Sequence, residues 1–551
     1  MFMSDTRPNG ASRPANCRSF DFLQDRSAVR CAVGVVILLW TVVCLFYLAT
    51  IFSSSNLMDH YAFRQTQVAA VIRELREGGP WLAYRMPVLG PPWTAPMEFP
   101  LYQLIVAGLS NLTGLSLEMS GRLLSLLSGT GCLLLTWRMA RLLGLSSRLQ
   151  ILIVLLLALS PMFTYWSQTV MIETFALALC LGMSVCAAEF LENDRKWPLL
   201  LGSLLGIAAA LTKVTTFVPF ALGLFIYFGL RLLAIVRKDW GAWSKHVKRA
   251  AIWFAAGCLL LLPGLFLTIA WVDWSDQLKA QSAMTEFLTS DSLARWNYGE
   301  IGDFFQSMSY LATSFRDEAP SIFIQSFGTF GVVLFGLSVI GILLRSRHRL
   351  LFVSLLVVYL AAPLIFANLY EVHFYYWVAT IVFSTVILAL GIDSIIELSG
   401  AAARRVRSSY ALPGAAIAAF LIGALALVGS QHTLHGFFLA PAKHPSSTIQ
   451  AVGQTIRSNV PENGVVFTFG YNWNPAIQYY ADRPMVMARN TQVDVLGWAL
   501  EQGVVPDGAA FCAGRRSEAE EVLQHPIFAQ RGEWTPVNDR LYCIIYVPAS
   551  E

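Results

Sequence analysis

About eleven stretches of this chain are apolar enough and long enough to need a bilayer, which leaves few folds open. A lipid-crossing helix takes roughly 20 mostly apolar residues. Such runs lie at Val29–Ile51, Met119–Leu142, Leu149–Phe163, Val170–Phe190, Leu199–Leu211 and Thr216–Leu233. They continue at Ala250–Trp271, Ile322–Leu344, Leu350–Phe366, Phe374–Ile396 and Leu412–Val428. The stretch Leu199–Leu233 as one helix would be about 50 Å long, too long for a bilayer. We therefore divide it at Lys213–Thr216. Charged residues make up 13% of the chain, against roughly a quarter in soluble domains, as expected when much of the surface faces lipid. The expected fold class is a polytopic α-helical membrane protein.

Basic residues set the orientation, because short cytoplasmic loops are enriched in Lys and Arg. Arg138, Arg141 and Arg148 share one loop, and Arg195 with Lys196 the next on that side. Arg237, Lys238, Lys245, Lys248 and Arg249 share a third. Arg345, Arg347 and Arg349 follow, then Arg404, Arg405 and Arg407. The intervening loops near Pro161 and Asn368 hold none. This alternation predicts a cytoplasmic tail over 1–28 and a transmembrane domain over 29–430. The long outer loops then cover 52–118 and 273–320, and the C-terminus lies outside. An arginine-rich polar stretch precedes the first run, unlike a cleavable signal peptide.

From about Gln431 the composition turns soluble. Strand-like runs at Gly464–Phe469 and Leu541–Val547 predict a small outer α/β domain over 431–551. Cys512 and Cys543 are the cysteines of that domain; they are read either as a bridge closing a loop of about 30 residues or as two buried thiols. None of the nine cysteines has zinc-type or haem-type spacing. The net charge of +4 is too small and dispersed for a nucleic-acid partner.

Several ionisable residues from distant parts of the chain reach the outer boundary together. Asp59, His60 and Arg64 follow the first span, and Glu98 sits in PMEFPLY. Glu173 lies at the outer end of the fourth span and Lys213 at the turn between the fifth and sixth. His373, Tyr375 and Tyr376 open the tenth. Ionisable groups at span ends are expensive unless they meet partners or line a wet cavity, so one shared polar cavity is the economical reading. Singly, each residue also has an ordinary reading: solvated loop carboxylates at 59 and 98, a helix N-terminal acid at 173. Lys213 would then snorkel, and the residues at 373–376 would be part of an aromatic belt.

The first loop, DHYAFRQTQ from Asp59, resembles bacterial lipid-linked-sugar glycosyltransferases of the C-type membrane fold. More narrowly it is similar to the branch related to protein mannosyltransferases and the aminoarabinose transferase of lipid A. EFPLYQLIVAGL from Glu98, GRLLSLL from Gly121 and SQTVMIETFALAL from Ser167 carry the same likeness. So do LTKVTTFVP from Leu211, HFYYWVATIVF from His373 and YNWNPAIQYYADRP from Tyr471. The resemblance implies transfer of a sugar from a polyprenyl-phosphate carrier to a glycan, lipid or protein acceptor, in a bacterial inner membrane. It implies that Asp59 is the base. Arg64, Lys213 and His373 would hold the phosphate, with His60, Glu98, Glu173, Tyr375 and Tyr376 binding substrate. The usual family pattern is Asp-Glu, where this chain has Asp59-His60, so the role of the second position is open. No cofactor is required on this reading, although Glu98 with a histidine is a set that would accept a divalent metal. The competing readings are a flippase or transporter of lipid-linked saccharide, a surface-polysaccharide polymerase or ligase, and a non-catalytic scaffold. Transporters place charged or broken-helix positions at mid-membrane; here they gather at the outer edge.

Overall fold

The computed structural model describes residues 26–53, 56–193, 195–238, 243–345, 348–406, 411–440, 447–487, 495–512, 516–538 and 543–549. Most of the tail at 1–28, with Cys17, and the basic positions Arg347 and Arg407 lie outside the described residues. The protein is a polytopic helical membrane protein with a small C-terminal sheet. Among the described residues seven helices are long and apolar enough to cross a membrane. Four shorter apolar helices, Ser147–Leu159, Trp197–Thr212, Gly331–Leu344 and Arg349–Ile365, occupy the remaining apolar runs. Helices suit this setting because each backbone donor is satisfied within its own segment.

Three spans are interrupted, and each interruption has a cause in the sequence. The fifth run ends at Thr212, and Lys213 is extended (φ −161°, ψ 92°) before Val214–Lys238 begins. The break occupies one residue rather than the four at Lys213–Thr216. The third run stops at Leu159, where Ser160 caps the short helix Pro161–Trp166 by accepting from the Phe163 amide at 3.3 Å. The eighth run divides into Ile322–Phe327 and Gly331–Arg345. Gly328 sits between them at φ +84°, and a Cβ there would lie 2.3 Å from the Ser430 amide nitrogen. Only glycine permits both that conformation and that approach.

The outer sheet has five strands: β1 Val465–Phe469, β2 Met485–Met487, β3 Pro506–Cys512, β4 Trp534–Pro536 and β5 Cys543–Pro548. Their order is β2-β1-β3-β5-β4. The β1 pairings are parallel and the β5 pairings antiparallel. Cys512 faces Cys543 across β3 and β5, and the two are bonded as a disulfide. The sheet does not stand alone. The Met485 and Met487 amides donate to the Pro87 and Val88 carbonyls at 2.9 and 3.2 Å, so the first outer loop lines the free edge of β2. Met86, Val88, Leu89 and Ala95 from that loop, and Leu288 from the second, share a core with Val452, Ile456, Val466 and Ile477. This body, expected on the outer side of the membrane, is thus woven from three stretches of chain. The sequence signalled only one of them, because short irregular segments carry no periodicity.

Candidate active site

The first loop begins with an unusual turn. Tyr61 adopts the left-handed conformation (φ 55°, ψ 44°) and opens the helix Ala62–Arg76. A non-glycine residue there costs about 1–2 kcal/mol, so surrounding contacts must hold it. The Tyr61 hydroxyl accepts from the Phe374 amide at 3.2 Å. Its ring meets Tyr375 edge-on at 4.6 Å and His373 at 5.5 Å. This turn separates the proposed residues into two groups.

Asp59 occupies the first. Its side chain is only 4% exposed. One carboxylate oxygen accepts from the Gln65 amide. The other lies 3.5 Å from Arg122 Nη2, and the Tyr165 hydroxyl reaches the same carboxylate. Each partner is itself fixed. Gln65 Nε2 also donates to the His60 carbonyl at 3.0 Å, while its oxygen accepts from the Val170 amide at 3.2 Å. Arg122 donates to Gln168 Oε1 at 2.7 Å and to the Asn56 carbonyl at 2.8 Å. The outer body closes the group, with the Tyr480 hydroxyl accepting from the Leu57 amide at 3.0 Å and bonded to Asn56 Oδ1 at 2.9 Å.

Arg64, Glu98, Glu173, Lys213, His373, Tyr375 and Tyr376 form the second group. Arg64 donates to Glu98, and to Gln67 Oε1 at 2.6 Å. Lys213 donates to Glu173 Oε1 at 2.5 Å. The extended backbone at Lys213 carries its ammonium over the Tyr376 ring at 4.2 Å and the Tyr375 ring at 5.1 Å. Arg64 lies within electrostatic reach of Glu98, Glu173, Tyr375 and Tyr376, which ties the two ion pairs into one chamber. Several buried acceptors and donors here are left over: Glu173 Oε2, His373 Nδ1, and the Thr212 and Thr215 hydroxyls have no protein partner. Buried polar atoms without partners are rare and suit a chamber that receives a polar ligand or water.

His60 and His373 depart from the simplest expectation. The His60 imidazole bonds the Phe437 carbonyl at 3.0 Å and packs edge-on against Tyr165 at 5.7 Å, so it bonds neither the Asp59 carboxylate nor the Lys213 chamber. His373 stacks on Tyr375 at 5.2 Å and Tyr376 at 6.0 Å. Burial first, then the Lys213, Arg64 and Arg316 cations, push its imidazole down to about 3. It is therefore a neutral hydrogen-bonding group at physiological pH rather than a third cation. Among the described residues no three His, Cys, Asp or Glu side chains gather as a metal set; Glu98 is engaged by Arg64 instead.

Sequence reasoning missed Arg122, Gln65 and Tyr165. Arg122 had a signal: it is the arginine at the start of the run Met119–Leu142, away from the basic end that holds Arg138 and Arg141, the kind of intramembrane charge that marks a site. Gln65 and Tyr165 had none, since either would be unremarked in any loop or aromatic belt.

No family model and no curated protein matches the sequence. Solved structures do. The chain is similar to ArnT from Cupriavidus metallidurans bound to undecaprenyl phosphate, at 15% identity and a TM-score of 0.57, over 96% of this chain and 99% of that one. The apo state of ArnT gives 14% identity and 0.59 over 94% and 98%. The archaeal oligosaccharyltransferase AglB from Archaeoglobus fulgidus, in complex with an inhibitory peptide and a dolichol-phosphate, gives 12% and 0.51 over 87% and 69%. The architecture expected from the first loop, the C-type membrane fold, is the one found.

Proposed function

We propose that this chain, sharing its fold end to end with a transferase bound to undecaprenyl phosphate, is itself a polyprenyl-phosphate-dependent glycosyltransferase. It takes a sugar from the lipid carrier and gives it to a glycan, lipid or protein acceptor on the outer side of a bacterial inner membrane. The observation that carries this reading is the adjacency of two kinds of group. One short loop carries both a buried, oriented carboxylate at Asp59 and, five residues on, the Arg64 of a chamber of paired cations with unpartnered polar atoms.

The chemistry follows from those groups. A phosphate leaving group needs no proton, only donors that hold its charge as it departs. Lys213 and Arg64 supply that charge, and the Tyr375 and Tyr376 hydroxyls and neutral His373 supply further hydrogen bonds. Each cation is balanced by a carboxylate, Glu173 or Glu98. An arriving phosphate takes over part of that role, and the carboxylates become free to accept from sugar or acceptor hydroxyls. Asp59 removes the acceptor hydroxyl proton while the acceptor oxygen bonds the anomeric carbon. The carbon–oxygen bond to phosphate breaks in the same displacement, so the configuration inverts. Gln65 and Arg122 hold the Asp59 carboxylate to one orientation, which keeps a lone pair aimed for that proton transfer.

Incubating the purified protein in nanodiscs with a set of polyprenyl-phosphate sugars and membrane extract tests this. The expected result is release of polyprenyl phosphate with matching glycosylation of one envelope component, lost from that component in a deletion strain. No consumption of any such donor, with an unchanged glycan profile in the deletion strain, overturns the proposal.

A further inference from the structure

His60 follows Asp59 directly in the first-loop motif, and the transfer chemistry gives it no role. Its surroundings are specific. The last span, Ala411–Thr433, runs into a π-helical turn at Leu434–Phe438. Such turns are rare and recur at functional sites. His60 Nε2 lies 3.0 Å from the Phe437 carbonyl in this turn. A carbonyl only accepts, so Nε2 carries the proton. The ring is boxed by Phe437 at 4.5 Å, Tyr165 and Phe374 at 5.7 Å and Phe438 at 5.8 Å. The His60 amide donates to the Tyr165 hydroxyl at 3.2 Å, and that hydroxyl also reaches the Asp59 carboxylate. On its other side stands Tyr61, in a conformation the residue does not favour. A left-handed residue persists only where its neighbours over-determine it.

We infer that His60 is a positioning residue whose imidazole bolts the Asp59 loop to the π turn at the end of the last span. The inference rests on the glycosyl-transfer reading for its effect on turnover, and on the geometry alone for its effect on the loop. Asp59 then stands where it does because two ends of the chain meet: the loop after the first span and the turn after the last.

Two substitutions separate the bolt from mere filling of the aromatic box. His60→Phe keeps a ring and removes the donor; His60→Gln keeps a donor and removes the ring. With one hydrogen bond worth about 0.5–1.5 kcal/mol, His60→Phe should lower kcat about three- to tenfold, with KM for the polyprenyl-phosphate donor within about twofold. Amide exchange over 57–66, read by mass spectrometry, should quicken by the same factor. His60→Gln should restore both kcat and exchange to within about twofold of wild type. Wild-type exchange in His60→Phe, or equal quickening in both variants, overturns the bolt whatever the activity does. Donor that goes unconsumed by the wild-type protein overturns the transferase reading, and the exchange data then decide the bolt alone.

Discussion

The Asp59 pocket and the Lys213 chamber are built from opposite materials. Around Asp59 every neighbour is itself hydrogen-bonded to something else: Gln65 to Val170, Arg122 to Gln168 and Asn56. Around Lys213 the partners are single carboxylates and aromatic faces, and several buried polar atoms are unsatisfied. The first pattern fixes one geometry. The second keeps binding capacity in reserve. A group that abstracts a proton must be held still, whereas groups that receive a phosphate must be able to change partners.

The comparison breaks first on sidedness, since both regions must face the same compartment. A phosphatase reporter fused after Ser430 should be active and one fused after Arg347 inactive. The reverse pattern would put both regions on the cytoplasmic side and end the mechanism.

Asp59→Asn should come next in size. It keeps the shape and the Gln65 contact, so folding and carrier binding should survive while turnover falls about 10²–10⁴-fold. Transfer at the wild-type rate would move the role of base to Glu98 or Glu173.

In the chamber, Lys213→Ala should both weaken polyprenyl-phosphate binding and strand a buried carboxylate at Glu173. Breaking a buried pair from one side costs about 3–5 kcal/mol. The double variant Lys213→Met with Glu173→Gln should recover most of that stability without recovering affinity for polyprenyl phosphate. Affinity that returns along with folding would mean Lys213 serves only its carboxylate. Thermal melting and isothermal titration read the two quantities separately.

A smaller effect is expected away from both regions. Cys512→Ser opens a bridge across 31 residues and should lower stability of the outer body by about 2–4 kcal/mol. Because Tyr480 closes the Asp59 side, donor turnover should then soften before donor binding does. Equal losses in both would argue for general unfolding.

The smallest expected effect is a pH dependence. His373 has a folded value near 3, below its ordinary 6.5, so between those values the folded state binds fewer protons than the unfolded one. Stability should therefore fall as pH drops from about 6.5 towards 3. His60 is shifted in the same direction by burial. Melting curves of wild type and His373→Asn across that range should diverge at the acid end; parallel curves would mean the ring is not buried neutral.

The membrane architecture was legible because lipid imposes one demand, about twenty apolar residues per crossing; among the described residues seven helices meet it, and four shorter apolar helices occupy the remaining runs. The break at Lys213 was legible from length alone. The membership of the chamber could be anticipated because span ends converge at one depth, and charged residues there need partners. Its division into two groups could not. That depends on the left-handed turn at Tyr61 and on which way the His60 ring points, and neither leaves a trace in residue type. Arg122 was visible yet unread, counted as part of a span rather than as a charge needing a carboxylate. The Pro87–Leu89 edge pairing joins residues about 400 apart, and nothing in either segment names the other.

That last pairing has a consequence for how the molecule is made. Arg73 donates to Asp482 at 2.6 Å across 409 residues of sequence, and Val88 meets Met487 beside it. At a synthesis rate of about 5–20 residues per second, the first loop emerges roughly 20–80 s before the segment that completes it. During that interval the loop lacks the strand edge and the Tyr480 that closes the Asp59 side. A nascent or C-terminally clipped chain therefore holds its full complement of spans and still lacks an assembled centre. The contacts that Arg73, Val88 and Leu57 make with the C-terminal body form only when the last fifth of the protein has been translated and docked.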